Sequence, residues 1–327
     1  MSEDQPVFRT RGLLPRDAAV AAGWMTEEWG LGPALGRSLE PLITALVAQD
    51  RLRGGCIEQL EPETGRWQIA AIGLSAFVME ADVARYLAEP TPFPSLSCLE
   101  RARNGDPTVF LDSEAIGRAN AGEGLNQLTV YYGQTVKDPA DPRWRHMLPA
   151  SHKLHREVHG GYRMRRLMQD EWTMNEQVFV YAGYRVLCRF QAGTACPLGV
   201  PPLKAPRSLV SITADEVAAG LPGSTASFLF EYRRPRLMLT AGERRLLLEA
   251  IAGRTDAEIA ASLSLSSNTI KTTWRQIYGR FDQRLGFVLG SDSTATRTDG
   301  GRGPEKRRRV IAFVQDHLEE LRPYRAG

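Results

Sequence analysis

Residues 239–281 contain three runs of apolar side chains at helical spacing, and this pattern limits the possible fold more than any other stretch of the chain. The first run predicts a helix over 241–252, because Thr240 is a good helix cap and Gly253 can end the helix. Thr255 is placed to cap a short second helix. The segment therefore predicts a small unit of consecutive short helices.

A third helix is predicted from the cap residue Ser266 onward. Its apolar residues recur at intervals of four, three and four, so they share one face and should form the core of the unit. These core residues are Ile270, Trp274, Ile277 and Phe281. The opposite face is polar and basic, with Asn268, Lys271, Thr272, Arg275 and Arg280.

The polar face of the third helix has two interpretations. Lys and Arg can approach phosphates or guanine, and Asn and Thr can hydrogen-bond base edges in the major groove, so the face suits a helix that recognises DNA. A small helical bundle with a solvated charged face has the same pattern. Spacing alone leaves both interpretations open.

A family resemblance favours the DNA interpretation. Residues 239–281 resemble the LuxR/NarL-type helix-turn-helix at Leu239-Thr240, Glu243, Gly253, Thr255-Asp256, Glu258-Ile259-Ala260, Leu263, Leu265-Ser266 and Thr269-Ile270-Lys271. The resemblance implies that Lys271, Thr272 and Arg275 contact bases. It also implies that Asn268 and Thr269 lie near the DNA backbone, where we expect Arg280 as well. Thr273 and Trp274 depart from the family pattern, and the bulkier Trp274 should tilt the helix.

The C-terminal end also departs from the family pattern. Residues 291–303 are polar and rich in Gly, Ser and Thr, which predicts a loop, and a final helix is predicted over 304–322. Its first turns carry Lys306, Arg307, Arg308 and Arg309, where the helix dipole opposes cations but free backbone N–H groups attract anions. These four residues either contact DNA phosphates or form a solvated charge run.

Charge divides the chain into two parts. Residues 233–327 contain 18 Lys and Arg against 11 Asp and Glu, a net charge of +7, whereas the first 232 residues contain 23 against 27, a net charge of −4. A chain of 327 residues is long enough for two domains. We predict a sensory or regulatory domain over 1–232 and a DNA-binding domain over 237–327.

The chain shows no signal for secretion or membrane insertion. The longest apolar run, residues 69–79, is too short to span a bilayer, and the N-terminus lacks a signal-peptide pattern. Cys56, Cys98, Cys188 and Cys196 form no C-x-x-C pair, which favours reduced thiols. We therefore expect a cytoplasmic protein with no membrane partner.

The first 232 residues predict mixed α and β structure. Helices are expected over 16–29, 34–52 and 80–87, a hairpin over 54–79, a strand over 126–133, a helical region over 144–169 that Gly160-Gly161 interrupts, two strands over 176–190 and a short strand over 228–232. Together with the all-α C-terminal unit, this predicts the α+β fold class.

Part of this region is similar to the second half of the GNAT acetyltransferase fold. The similarity is carried by Gly160-Gly161-Tyr162-Arg163, expected to open a helix, and by Ala182-Gly183-Tyr184-Arg185-Val186, expected to enter a strand. In that family a glycine-containing turn at a helix N-terminus binds the pyrophosphate of acyl-coenzyme A, so the resemblance implies such a turn here. The glycines at 160–161 do not have the family's spacing.

Three histidines form a candidate metal site. His152, His155 and His159 can share one helix face, which is acceptable ligand geometry, but the H-E-x-x-H arrangement is absent. A polar, partly solvated helix face explains the same residues, and we predict no metal.

The sequence predicts a sequence-specific DNA-binding transcription regulator, not an enzyme, with no catalytic residues and no cofactor. Its expected partners are double-stranded DNA, a small-molecule ligand of the N-terminal domain, and a second copy of the chain, since a two-fold dimer reads two half-sites. The alternatives are a GNAT-like acyltransferase fused to a DNA-binding domain and a nucleoid protein that binds DNA without sequence preference.

Overall fold

The computed structural model describes residues 6–138, 140–220, 227–286 and 302–325. Its strands are β1 (Phe8–Gly12), β2 (Arg53–Glu61), β3 (Arg66–Val78), β4 (Leu125–Gln134), β5 (Met164–Trp172), β6 (Arg185–Phe190) and β7 (Arg207–Thr213). Its α-helices are α1 (Ala18–Trp29), α2 (Pro33–Ala48), α3 (Glu80–Ala88), α4 (Pro94–Arg103), α5 (Ser113–Ala121), α6 (Pro142–His159), α7 (Glu176–Tyr181), α8 (Ala214–Ala219), α9 (Ala241–Ile251), α10 (Asp256–Leu263), α11 (Ser267–Leu285) and α12 (Arg302–Asp316). None of the described helices is long and apolar enough to cross a bilayer.

The seven strands form one mixed sheet in the order β1-β2-β3-β4-β5-β7-β6. Strands β4 and β5 are parallel, and every other neighbouring pair is antiparallel. A parallel pair needs a crossover connection, and α6 provides it. This mixed α/β sheet is consistent with a GNAT-like fold and with the predicted α+β class.

Alternate side chains of β3 separate the two faces of the sheet. Ile72, Leu74 and Ala76 pack in the core formed with α1, α2 and α4. Ala71 packs on the opposite face against α6, and Phe77 joins a third cluster with residues of α5. Both faces of β3 are therefore covered, which explains the long apolar run in the sequence.

Several predicted elements of this region are confirmed. The hairpin is β2–β3, with its turn at 62–65, and the strand expected over 126–133 is β4. The expected helices correspond to α1, α2 and α3, with boundaries that differ from the prediction by at most four residues.

Other predictions for the same region are wrong. The region 144–169 is helical only to His159, and residues 164–172 form β5. Gly160–Gly161 do not open a helix, because they follow α6 and lead into β5. Residues 176–190 form α7 and β6 rather than two strands, and a short 3-10 helix over 227–229 replaces the strand expected at 228–232.

The C-terminal unit contains α9, α10 and α11 at the predicted positions. Thr240 and Thr255 make the expected caps by accepting from the backbone N–H groups of Glu243 and Glu258, and each Glu bonds back to its cap. The predicted core residues of α11 are buried in a cluster that α12 completes; they are Ile270, Trp274, Ile277 and Phe281. The helices therefore form a bundle with its own core.

The last helix is shorter than predicted. It ends at Asp316, and residues 318–321 form a separate 3-10 helix, so the predicted range 304–322 is interrupted at His317. The buried Glu320 carboxylate accepts from the backbone N–H groups of Arg236 and Leu237, so it fixes the segment that leads into the C-terminal bundle. Most of the predicted loop 291–303 lies outside the described residues.

The C-terminal tail, residues 318–325, docks against the turn between α6 and β5. The guanidinium of Arg322 donates to the carbonyl oxygens of Gly160 (2.8 Å) and Glu157 (2.6 Å) and lies over the ring of Tyr162. Gly161 has φ +80°, and a Cβ there would collide with the backbone of residues 318–319. The turn therefore needs glycine both for its conformation and for the close approach of the tail.

We expect Gly161→Ala to destabilise the protein by about 2–4 kcal/mol, because it combines a left-handed conformation with a backbone collision. Urea unfolding followed by circular dichroism measures the change. Gly65→Ala is the matched control, since Gly65 has φ +65° with open space around it, and it should cost only about 1–2 kcal/mol. Equal costs for the two variants would contradict the packing role of Gly161.

Candidate active site

Strands β4 and β5 separate part of the way along their length. They pair from Leu125↔Met164 to Leu128↔Met168, while β4 continues to Gln134 and β5 to Trp172. The separation coincides with a bulge in β4, since Leu74 faces Tyr131 and Ser75 faces Thr129. Bulges of this kind bend a strand and redirect its side chains. Beyond Leu128 the facing backbone edges of the two strands border a cleft.

The cleft is small and rich in ionisable groups. It encloses about 20 Å³, enough for one water-sized group. Its lining comes from α1, α4, β4, β5 and β7: Glu28, Trp29, Ser95, Thr129, Val130, Tyr131, Tyr132, Gln169, Asp170, Glu171 and Arg207. Five separate elements therefore contribute to one site.

Glu28, near the end of α1, connects the two separated strands. Its carboxylate accepts from the Tyr131 hydroxyl of β4 at 3.1 Å and from the Trp172 indole N–H of β5 at 2.9 Å. Burial, and next the charge of Glu28, raise the pKa of Tyr131 well above its ordinary value, so this hydroxyl is a donor at neutral pH.

Asp170 and Arg207 form a buried ion pair in the lining of the cleft. The Arg207 Nε donates to Asp170 Oδ1 at 2.9 Å, and the two side chains are only 5% and 6% exposed. The Phe93 backbone N–H donates to Asp170 Oδ2 at 2.7 Å. The guanidinium also stacks against the rings of Phe93 and Trp172. Burial raises the pKa of Asp170 above its ordinary value, although Arg207 acts in the opposite direction.

Glu171 is held by three donors and has no ion-pair partner at bonding distance among the described residues. Its carboxylate accepts from the Trp172 backbone N–H (2.8 Å), the Asn175 amide (3.1 Å) and the Gln169 amide (3.1 Å). Burial raises its pKa above the ordinary glutamate value, and the charge of Arg207 lowers it by less. This carboxylate is therefore a stronger base than an exposed glutamate.

The helix that follows β4 does not offer a glycine cradle for a pyrophosphate. Helix α6 begins with Pro142, which has no N–H, and the Asp141 carboxylate accepts from the Arg143 N–H. Asp138 lies in the same turn. The glycines proposed for this role, at 160–161, lie at the other end of α6, against the C-terminal tail. The structure therefore does not reproduce the pyrophosphate-binding turn that the resemblance implies.

The residues assigned to DNA contacts lie on the C-terminal bundle. Asn268, Thr269, Lys271, Thr272 and Arg275 are exposed along α11. Arg280 is half-buried and donates to Glu243 at 2.9 Å. No contact in the structure tests the roles assigned to these residues.

The basic run of α12 is engaged within the bundle. Arg307 stacks on Trp274 and donates to Asp256 at 2.8 Å and to the Arg254 carbonyl at 2.9 Å. The half-buried Lys306 precedes Arg307, and Arg308 and Arg309 pair with Glu305 on the same helix. The charges that opposed the helix dipole are thus partly compensated by local ion pairs.

The three histidines of α6 form no metal-binding group with other ligands among the described residues. The buried His159 bonds Ser75 Oγ through Nε2 at 2.6 Å and the His155 carbonyl through Nδ1 at 3.1 Å. Burial lowers its pKa well below the ordinary value, so the ring is neutral at physiological pH. Both ring nitrogens are therefore used in internal hydrogen bonds.

A comparison with known protein families finds no match for this chain, and a comparison with curated protein sequences finds none either. Among solved structures, the chain is similar to Arabidopsis thaliana NAA60 in complex with acetyl-CoA, with 10% identity, a TM-score of 0.38, and 64% of this chain and 99% of that one covered. It is also similar to FeeM, an N-acyl amino acid synthase from uncultured soil microbes, with 10% identity, a TM-score of 0.37, and 67% of this chain and 97% of that one covered. A third similar structure is a GNAT-family acetyltransferase from Streptococcus pneumoniae, with 11% identity, a TM-score of 0.31, and 63% of this chain and 99% of that one covered.

These comparisons contradict the prediction of a DNA-binding transcription regulator that is not an enzyme. The three structures named above are described by acetyl-CoA binding or acyl transfer, and none of the three by DNA. No comparison supports a LuxR/NarL-type domain or DNA as the partner. The homodimer was inferred from the need to read two DNA half-sites, so it loses its basis with that prediction.

Sequence reasoning missed the residues of the cleft. Glu28, Tyr131, Asp170 and Arg207 belong to four elements that are distant in sequence, and no local motif connects them. The available signal was the adjacent pair Asp170-Glu171, which follows Leu167-Met168 closely, since adjacent carboxylates inside a strand are costly unless they are paired or functional.

We expect Glu28→Ala to lower the free energy of unfolding by about 2–4 kcal/mol, because it leaves the Tyr131 hydroxyl and the Trp172 N–H without their acceptor. Glu27→Ala, one position earlier on the exposed side of α1, should change stability by less than about 0.5 kcal/mol. Urea unfolding of both variants measures the difference. A loss for Glu28→Ala no larger than that of the control would show that the two strands do not depend on this carboxylate.

Proposed function

We propose that this protein is an acyltransferase that moves an acyl group from a thioester to an amine in the cleft between β4 and β5. The observation that carries the proposal is the cleft itself, where two parallel strands separate beside a cluster of part-buried carboxylates. The acyltransferase takes the place of the transcription regulator as the function of this chain.

The backbone edges of the cleft suit an extended donor. Beyond Leu128, β4 remains paired with β3 on one side only, and beyond Met168, β5 remains paired with β7 on one side only. An extended arm that contains amides can bond to such free edges in the way a peptide adds to a sheet. The pantetheine arm of an acyl thioester has this chemistry.

The ionisable groups suit an amine acceptor. An amine enters as an ammonium ion and must lose a proton before it can attack a carbonyl carbon. Glu171 accepts that proton, the new C–N bond forms, and the C–S bond breaks to release a thiolate, which takes the second proton that the nitrogen loses as the amide forms. The raised pKa of Glu171 makes its carboxylate a stronger base than an exposed glutamate.

The test is release of free thiol from acyl-pantetheine and acyl-coenzyme A thioesters of several chain lengths, offered with a panel of amines and amino acids. Thiol release that depends on the amine, together with an amide product identified by mass spectrometry, supports the proposal. If no donor and acceptor pair gives thiol release above the buffer rate, the acyltransferase proposal is wrong.

We expect Glu171→Gln to lower kcat/KM by about 100-fold or more, because positioned bases contribute at least that much. In the wild type, activity should fall as the pH drops through the raised pKa of Glu171, since the carboxylate is then protonated, and this acid limb should disappear in the variant. The control is Glu123→Gln, an exposed carboxylate before the start of β4, which should keep both rate and pH profile. A retained acid limb in Glu171→Gln would assign the base to another residue.

A further inference from the structure

One arm of the buried Arg207 guanidinium has no partner. Its Nε donates to Asp170 Oδ1 and its Nη2 donates to the Asp170 carbonyl at 3.1 Å. Its Nη1 is buried and has no hydrogen-bond partner among the described residues. A buried donor without a partner costs free energy, so it calls for an explanation.

The unpartnered arm belongs to a side chain that cannot easily turn elsewhere. The edge formed by Nε and Nη2 is fixed on Asp170, and the plane of the guanidinium lies within 4.2 Å of the Trp172 ring centroid and 4.6 Å of that of Phe93. Asp170 is itself fixed by the Phe93 backbone N–H. The Nη1 donor is therefore held in place before any substrate arrives.

The surroundings of Arg207 suit an oxygen atom that gains negative charge. Arg207 lines the same cleft as Glu171, and that cleft has room for one water-sized group. A donor fixed in a buried site stabilises a developing charge without the cost of reorienting itself. The carboxylates of the cleft make it a poor site for a permanent anion but a suitable one for an ammonium acceptor.

We propose that Arg207 Nη1 donates to the thioester carbonyl oxygen as that oxygen becomes an oxyanion. This inference rests on the proposed acyl transfer and adds a catalytic residue to it. The amine nitrogen bonds to the carbonyl carbon, the carbonyl π electrons move onto the oxygen that faces Nη1, and the carbonyl re-forms as the C–S bond breaks and the thiolate leaves. Glu171 has taken the first proton of the ammonium before this attack, and the second proton lost by the nitrogen goes to the departing thiolate.

The test compares Arg207→Lys with wild type in the thiol-release assay. Lysine keeps one positive charge beside Asp170 but lacks the forked geometry that holds Nη1, so kcat should fall about 100- to 1,000-fold, while KM for donor and acceptor should stay within about three-fold. Arg189→Lys is the matched control, because Arg189 is an exposed arginine of β6 paired with Glu176, and its kcat should not change. A thermal midpoint close to wild type shows that each variant folds.

A second measurement does not require a variant at Arg207. With an acyl thioester bound to Glu171→Gln, in which turnover is slow, the infrared stretch of the thioester carbonyl should lie below its frequency in buffer, because a cationic donor polarises the bond. An unshifted stretch would overturn the role of Arg207.

The outcomes separate the two proposals. If the wild-type protein releases thiol and Arg207→Lys keeps its kcat, with or without a raised KM, acyl transfer stands and the oxyanion role is overturned. A wild-type protein that releases no thiol overturns acyl transfer and this inference together.

Discussion

Strands β4 and β5 pair in parallel for a short distance and then separate, and the candidate site exists because of that separation. Continued pairing would bond the backbone groups of both strands to each other and close the cleft. The bulge opposite Leu74 and Ser75 bends β4 at the position where pairing ends. Glu28 then bonds one residue from each separated strand, which fixes the width of the opening.

The electrostatics of the cleft follow from the same geometry. Continued pairing would place backbone hydrogen bonds between the strands, whereas this cleft holds three carboxylates and a guanidinium among the described residues. Buried charges are tolerated when they are paired and hydrogen-bonded, and Asp170 with Arg207 meets that condition. Glu171 is hydrogen-bonded only by neutral donors and has no cationic partner at bonding distance among the described residues, and burial raises its pKa. The proposed acyl transfer therefore uses Glu171 for proton transfer and Arg207 for charge stabilisation.

The sequence alone predicts those elements whose turn or capping residues lie next to them in the chain. The hairpin β2–β3 was predictable because a turn sequence joins two runs of strand-forming residues, and α9 to α11 were predictable because capping residues precede helical apolar spacing. The break at Gly160–Gly161 was visible as well, but its meaning depends on the tail at 318–322, which lies more than 150 residues away in the sequence. No local pattern contains that contact.

The error about function has a similar physical origin. A helix with one buried face and one exposed basic face satisfies the packing requirements of a bundle and also those of a DNA-reading domain, so the pattern of α11 alone does not separate the two. The cleft is assembled from Glu28, Tyr131, Glu171 and Arg207, and its components become neighbours only when the sheet forms. Sequence spacing therefore emphasised the segment with the strongest local pattern and missed the site built from tertiary contacts.

The C-terminal tail helps to hold β5 in position beside the cleft. Arg322 bonds the carbonyls at the end of α6, and Asn120 donates to the Pro323 carbonyl while its side-chain oxygen accepts from the Arg163 N–H. These contacts hold the turn that leads directly into β5. Because β5 begins at Met164, within two residues of that turn, the direction of the strand is fixed at its start by the tail and at its end by the bond between Trp172 and Glu28. The separation of β4 and β5 is thus supported from both ends, and one of those supports comes from the far end of the chain.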